Sequence, residues 1–436
     1  MKFGLFIALN ALVLIRPEEL FPEIAGLRLY LIVICVCTLQ SLPELMALLS
    51  WESLRVRPVT VCVLLYFSST IVSLCVLGRV EEALLDFGPE FAKIILYYLL
   101  LITIVDSGER FRRFIAVLVA LIVLLTAIAI AQLHGFASFP NIDPVMQREF
   151  DIVTGEEYFI PRLVSSGIFS DPNDLCLILG FGMLSCLYLM TTGDAPLAQR
   201  LGYLAPIPLF VYATLETHSR GGVLGILAGF GGYAYARYGG PKALPLAAGG
   251  AFGSLALIGG RQGSMAGGGT AHDRLMFWAD GLTNLFNQPL YIPTGLGLEW
   301  FTRETGFVAH NSFVQAYVEQ GLFGGGTFLG AFVLGAWMTD RLGRGIPAPA
   351  WALKARPFVF AILCGYGMGC YSLTRNTVLP TYLIFGIASV LLEPSAPYLP
   401  EKFRVDRRWF GRSILMSIVG LVFIKYATQI MGMAGV

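Results

Sequence analysis

Charge is the scarcest commodity in this 436-residue chain. Only 14% of residues are Asp, Glu, Lys or Arg, while 56% are hydrophobic and mean hydropathy is +0.70. Soluble domains carry about 25% charged residues, so a soluble protein of this length would lack the polar surface to cover its core. Basic excess is missing too: 30 Lys+Arg face 29 Asp+Glu, a net charge of +1, which excludes the electrostatic footprint of a nucleic-acid binder. Histidine is limited to four residues and cysteine to eight. The cysteines lie in or at the ends of apolar stretches, with no C-x-x-C and no Cys/His spacing suited to zinc. No G-x-x-x-x-G-K-[ST] loop is present, so no nucleotide-binding domain is encoded.

What the chain has in quantity is apolar runs. A spanning helix needs about 20 apolar residues. Such stretches fall near 3–15, 27–42, 58–78, 91–105, 114–133, 174–192, 201–217, 222–236, 243–259, 311–337, 357–373, 378–392 and 413–431. This pattern predicts an all-α polytopic membrane protein of about 12–13 transmembrane helices, one membrane domain over 1–436 in a lipid bilayer. The first stretch has no small-x-small cleavage site and runs into Arg16-Pro17-Glu18-Glu19, so it reads as an anchor rather than a signal peptide.

Lys and Arg set the orientation. With the N-terminus inside, about 18 of the 30 basic residues fall in cytoplasmic loops and about 10 outside. The outer face then owns two long polar loops, about 134–173 and 260–309, and all four histidines. The second loop is expected to carry short helices. One of them, 273–286, has Leu275, Met276, Trp278, Leu282 and Phe286 as an apolar face that could lie on the bilayer and hold Arg274 toward a headgroup. Arg303 and Glu304 follow in the same loop.

Four constellations at this face could carry chemistry. Thr217-His218-Ser219-Arg220-Gly221-Gly222 sits in a tight turn before an apolar stretch, placing Arg220 at a helix start, where free N–H groups and the dipole favour anions. A diphosphate clamp and an interfacial arginine reaching for headgroups both fit it. Ala309-His310-Asn311-Ser312 opens a long span, with Asn311 or Ser312 as N-cap and His310 at its mouth. The helix N-terminus disfavours imidazolium, leaving a ring able to accept a proton; a plain polar end-residue is the alternative. Glu319, nine residues on and roughly 13 Å deeper by helical rise, suits a buried structural role. Loop 260–309 is the third, with Arg274 and Arg303. The fourth is Arg162 with Gly167 to Asp174, where Asp171, Pro172 and Asp174 form a helix-start signal that leaves Arg162 unexplained.

Together these residues resemble the O-antigen ligase and O-antigen polymerase superfamily of bacterial membrane glycosyltransferases. The resemblance rests on T-x-S-R-G (Thr217 to Gly221), H-N-x-[FY] with E-x-G (His310, Asn311, Phe313, Glu319, Gly321), G-x-[FS]-x-D-P-N-x-[LA] (Gly167 to Leu175) and R-x-x-x-W (Arg274 to Trp278). The motif-bearing core covers about 160–340. The resemblance implies a metal-independent, cofactor-free, inverting enzyme of the bacterial inner membrane with a periplasmic active site. Its donor would be an undecaprenyl-diphosphate-linked glycan and its acceptor a hydroxyl on a glycan, lipid or protein. It implies Arg220 and Arg274 at the diphosphate and His310 at the acceptor. Arg162, Arg303, Ser219 and Asn311 complete the candidate substrate-binding set. A polysaccharide polymerase fits the same motifs. A lipid-linked glycan flippase is the rival of another class, though few ionisable residues lie within the apolar stretches.

Overall fold

The computed structural model describes residues 1–139, 141–150, 156–192, 196–240 and 270–433. It is an all-α polytopic membrane protein: apart from one short hairpin, the regular elements of the described residues are helical. All of the apolar stretches lie on helices except 243–259, which is outside the described residues. Among the described residues, seven helices are long and apolar enough to cross a membrane, or eight if the bent pair Leu29–Gln40 and Leu42–Leu48 counts as one span. The other stretches are short, as Lys2–Ile15 (14 residues) and Ile207–Glu216 (10 residues), or glycine-rich, as Arg220–Tyr238 and Ala350–Ser372. That is why a count of apolar runs exceeds a count of strict spans.

The chain folds into two compact units, each assembled from three stretches. The first comprises Met1–Pro43, Leu100–Ser264 and Pro349–Gly369. Its central helix is Pro172–Thr191, most of it buried, packed by Gly108–Leu133, Ile207–Glu216 and Arg220–Tyr238. The start of the central helix obeys the local signal: Asp171 caps it by accepting from the Asn173 N–H at 2.7 Å, and Pro172 occupies the first turn. Helix Arg220–Tyr238 meets its neighbours through a glycine seam. A Cβ on Gly222 would lie 2.4 Å from Cys176 Sγ, and one on Gly225 would lie 3.0 Å from the Gly365 carbonyl. Small residues at helix contacts are the usual route to close packing in lipid, where no hydrophobic force drives helices together.

The second unit comprises Glu44–Leu99, Met265–Ala348 and Cys370–Val436. Helix Ser312–Arg341 is its axis, packed against Pro58–Val76, Leu379–Leu392 and Arg407–Met433. Tyr66, Phe91, Phe328, Phe332, Tyr382 and Phe385 form a buried aromatic core around it. Arg407–Met433 leaves Leu415, Met416, Val419 and Phe423 exposed, an apolar face suited to lipid.

The axial helix is broken. Gly321 has φ 66° and ψ −158°, a conformation outside the helical region. The outer-loop segment 292–297 enters the break and satisfies the freed backbone. Leu296 and Gly297 N–H groups donate to the Val318 and Glu319 carbonyls at 2.8 and 3.0 Å. Leu322 and Phe323 N–H groups donate to the Ile292 and Pro293 carbonyls at 2.9 and 3.2 Å. Ser73 Oγ adds a bond to the Glu319 carbonyl at 2.7 Å. Non-helical backbone at membrane depth survives only where protein or water satisfies it, and here the chain's own loop does so.

Candidate functional site

Each unit carries its own set of the residues singled out in the sequence. In the first, the hairpin Val145–Phe150 and Glu157–Arg162 delivers Arg162 at the end of its second strand. No strand is expected from the sequence in the loop 134–173, yet 145–162 pairs as antiparallel strands, tied across by an Arg148–Glu157 ion pair. Arg162 Nε donates to the Thr217 carbonyl at 2.8 Å, and Nη2 donates to Asn173 Oδ1 at 3.2 Å. Ser219 Oγ donates to the same Asn173 oxygen at 2.6 Å while accepting from the Gly222 N–H at 3.0 Å, so it caps helix Arg220–Tyr238. Asn173 thus gathers Arg162 and Ser219 onto one oxygen.

Arg220 is the first residue of that helix and half-buried, as the turn length requires. His218, just before it, holds φ 49°. The left-handed region costs a non-glycine residue about 1–2 kcal/mol, so the turn's geometry is maintained against strain by the buried Thr217 and Ser219 flanking it. The N-terminal Arg16–Glu19 pair joins the same set: Glu19 accepts from the Gly167 N–H at 2.5 Å, and Arg16 packs where a Gly167 Cβ would sit.

In the second unit His310 also has positive φ, 50°, and Asn311 caps helix Ser312–Arg341 by accepting from the Phe313 and Val314 N–H groups at 3.0 and 3.1 Å. Asn311 is buried and His310 half-buried, so the ring stands at the helix mouth. Asn311 therefore holds the helix start that carries His310.

Arg274 lies on helix Thr270–Asn287. The apolar face of that helix is not laid on the bilayer: Leu275, Trp278, Leu282 and Leu285 are buried against Phe301, Val314, Tyr317 and Leu421. Of the stripe expected from the sequence, protein covers Leu275, Trp278 and Leu282 and part of Phe286, Leu285 joins them, and Met276 stays exposed. Trp278 Nε1 donates to the Ala309 carbonyl at 2.6 Å, fastening this helix to the residue before His310. Arg274 is one turn earlier, on the Trp278 side of the helix. Desolvation by burial lowers the Arg274 pKa below its ordinary value, yet arginine starts so high that it keeps its charge. Arg303, on the short helix Trp300–Thr305, donates to the Leu298 carbonyl, which also accepts from Arg79 Nη1 at 2.9 Å. Arg261 lies outside the described residues.

Two residues at these places were not singled out in the sequence. Asn173 was absorbed into a helix-start signal, and Arg375 was counted only as one outer charge among others. Arg375 follows helix Ala350–Ser372, and its N–H donates to Ser312 Oγ at 2.7 Å, two residues beyond His310. No spacing in the chain announces either, because their partners lie 11, 46 and 63 residues away.

Among the described residues, no group of three or more His, Cys, Asp or Glu is placed to hold a metal ion. The second unit offers a half-buried imidazole and an arginine on a helix bonded to the residue before it, and the first offers arginines on hydrogen-bonded turns. These are the ingredients of proton removal and of phosphate recognition. No family model matches the chain, and no curated protein matches it.

Proposed function

We propose that this protein is a membrane glycosyltransferase of the O-antigen ligase type, in the bacterial inner membrane, taking a glycan from an undecaprenyl-diphosphate donor at the periplasmic face. The acceptor hydroxyl attacks the anomeric carbon and gives its proton to His310. A new C–O bond forms to the acceptor as the bond from that carbon to the diphosphate oxygen breaks, with inversion. Negative charge builds on the departing diphosphate, where guanidinium groups stabilise it more strongly than in the intact donor. Arg274, in the same unit as His310, is assigned to that task. The observation that carries the reading is the Trp278–Ala309 bond, which fastens the arginine-bearing helix to the peptide preceding His310.

The broken axial helix gives the flippase reading its one point of support, since transporters place discontinuous helices at their substrate sites. Here the carbonyls of Val318 and Glu319 and the N–H groups of Leu322 and Phe323 are occupied by loop 292–297. They are bound to the protein's own backbone, which favours a structural break over a transport site.

The experiment is transfer by purified protein in nanodiscs, supplied with an undecaprenyl-diphosphate-linked oligosaccharide and a hydroxyl acceptor, with a chelator present. Product formed by wild type and lost in His310→Ala supports the reading. Donor moved across the bilayer without product, or activity abolished by the chelator, overturns it. Supplying either lipid-linked glycan or lipopolysaccharide core as acceptor separates polymerase from ligase.

A further inference from the structure

Residues 373–376 form a short turn between helices Ala350–Ser372 and Leu379–Leu392. A turn at a membrane boundary can leave its backbone groups to water. This one is held instead by buried side chains. Ser312 Oγ donates to the Leu373 carbonyl at 2.6 Å and accepts from the Arg375 N–H at 2.7 Å. Thr381 Oγ1 donates to the Arg375 carbonyl. Tyr382 OH donates to the Asn376 carbonyl at 2.8 Å, and Asn376 Nδ2 donates to Tyr66 OH at 2.7 Å. Ser312, Thr381, Tyr382, Asn376 and Tyr66 are all buried, whereas Arg375 is half-buried.

Two of the four bonds to the turn's backbone fall on Arg375 and the other two on Leu373 and Asn376, while the N-cap of the next helix, Val378, has no side-chain cap. The Arg375 guanidinium is drawn over the turn, Nη1 donating to the Thr374 carbonyl at 2.7 Å. Both N–H and C=O of Arg375 are fixed, and one fixing group, Ser312, belongs to the helix turn that presents His310. Binding sites are built this way: a supporting shell of locked side chains sets the geometry of one residue that meets the ligand. A guanidinium offers five donors in a fork matched to phosphate oxygens.

We infer that Arg375 is a binding residue for the diphosphate of the polyprenyl donor, positioned by Ser312 on the side of His310. This deepens the proposed glycosyl transfer and rests on it. Ser312 acts through Arg375 and is a positioning residue.

The test uses the full chain in phosphatidylcholine nanodiscs with undecaprenyl diphosphate, undecaprenol or phosphatidylglycerol added in separate arms, reading binding by thermal shift and native mass spectrometry. Wild type should bind undecaprenyl diphosphate and not undecaprenol. Arg375→Gln should weaken that binding on the order of 10- to 100-fold while melting like wild type without ligand. Arg375→Lys should recover part of the loss, and Ser312→Ala should raise the donor KM more than it lowers kcat. Diphosphate binding by Arg375→Gln equal to that of wild type would overturn the inference and leave the glycosyl-transfer reading standing. Equal stabilisation of wild type by phosphatidylglycerol would also overturn it, assigning the guanidinium to bulk headgroups. Wild type that neither binds diphosphate nor transfers glycan would remove both.

Discussion

His310 and Arg274 divide the work of the proposed reaction, and each can be questioned alone. Removing a general base costs about 10²- to 10⁴-fold in rate, so His310→Ala should lose transfer while still binding the lipid donor. His310→Gln, polar but not titratable, should be nearly as inactive. Transfer by His310→Ala at the wild-type rate, with intact protein levels, would remove His310 from the chemistry. Arg274→Ala should cost on the order of 30- to 1,000-fold in rate, and Arg274→Lys should rescue poorly because a point charge lacks the fork. Caps proved legible at this scale: Asp171 and Asn311 both accept from N–H groups two residues ahead, a relation contained in a few consecutive residues. Asn173 and Arg375 were not legible, because the oxygen that collects Arg162 and Ser219, and the hydroxyl that fixes Arg375, are brought near only by packing.

Elements show the same division. The amphipathic stripe of Thr270–Asn287 could be read directly, yet whether lipid or protein covers such a stripe depends on residues such as Leu421, far along the chain. The hairpin 145–162 was missed because its Arg148 and Glu157 face water and give little apolar alternation. Glycines on two helices make contrasting predictions. A Cβ on Gly231 meets nothing within 4 Å, so Gly231→Ala should be neutral or stabilise by up to about 1 kcal/mol through helix propensity. Gly222→Ala drives a methyl into Cys176 and should lower the melting temperature, overpacking costing about 1–3 kcal/mol. Gly321→Ala adds positive-φ strain to a 2.5 Å clash with the Pro293 carbonyl and should lower it further. Thermal unfolding in detergent, followed by tryptophan fluorescence, orders the three. An unchanged melting temperature for Gly321→Ala would mean the break tolerates a side chain.

For the whole molecule, the Lys and Arg pattern predicts a sidedness, and helix ends pair inside each unit. In the first, Arg16 meets Gly167 at one end, while Phe111 packs at a tilt against Trp351 and Arg356 bonds to the Ala236 carbonyl at the other. In the second, Lys425 sits over the Phe286 ring, and Arg57 pairs with Glu393. Apart from Lys425, which lies within an apolar stretch, the residues of each contact fall on the same side in the sidedness that the charge rule predicts. Reporter fusions at 106–113, 338–356 and 394–412 should therefore report cytoplasm, and those at 140–160 and 262–272 periplasm. A cytoplasmic 262–272 would remove the proposed use of an external donor. The all-α class was legible because hydropathy registers every long apolar run; the division into two interleaved units was not, since each draws on three separated stretches.

The splice at Gly321 bears on how such a protein could be re-engineered. Acceptor choice would ordinarily be altered by exchanging an outer loop and leaving the membrane helices alone. Segment 292–297 forbids that economy: its main chain completes a helix more than twenty residues downstream, whatever its side chains. A transplanted loop must bring residues 318–323 with it, so the smallest interchangeable cassette runs through His310 and carries the proposed base along with the surface around it.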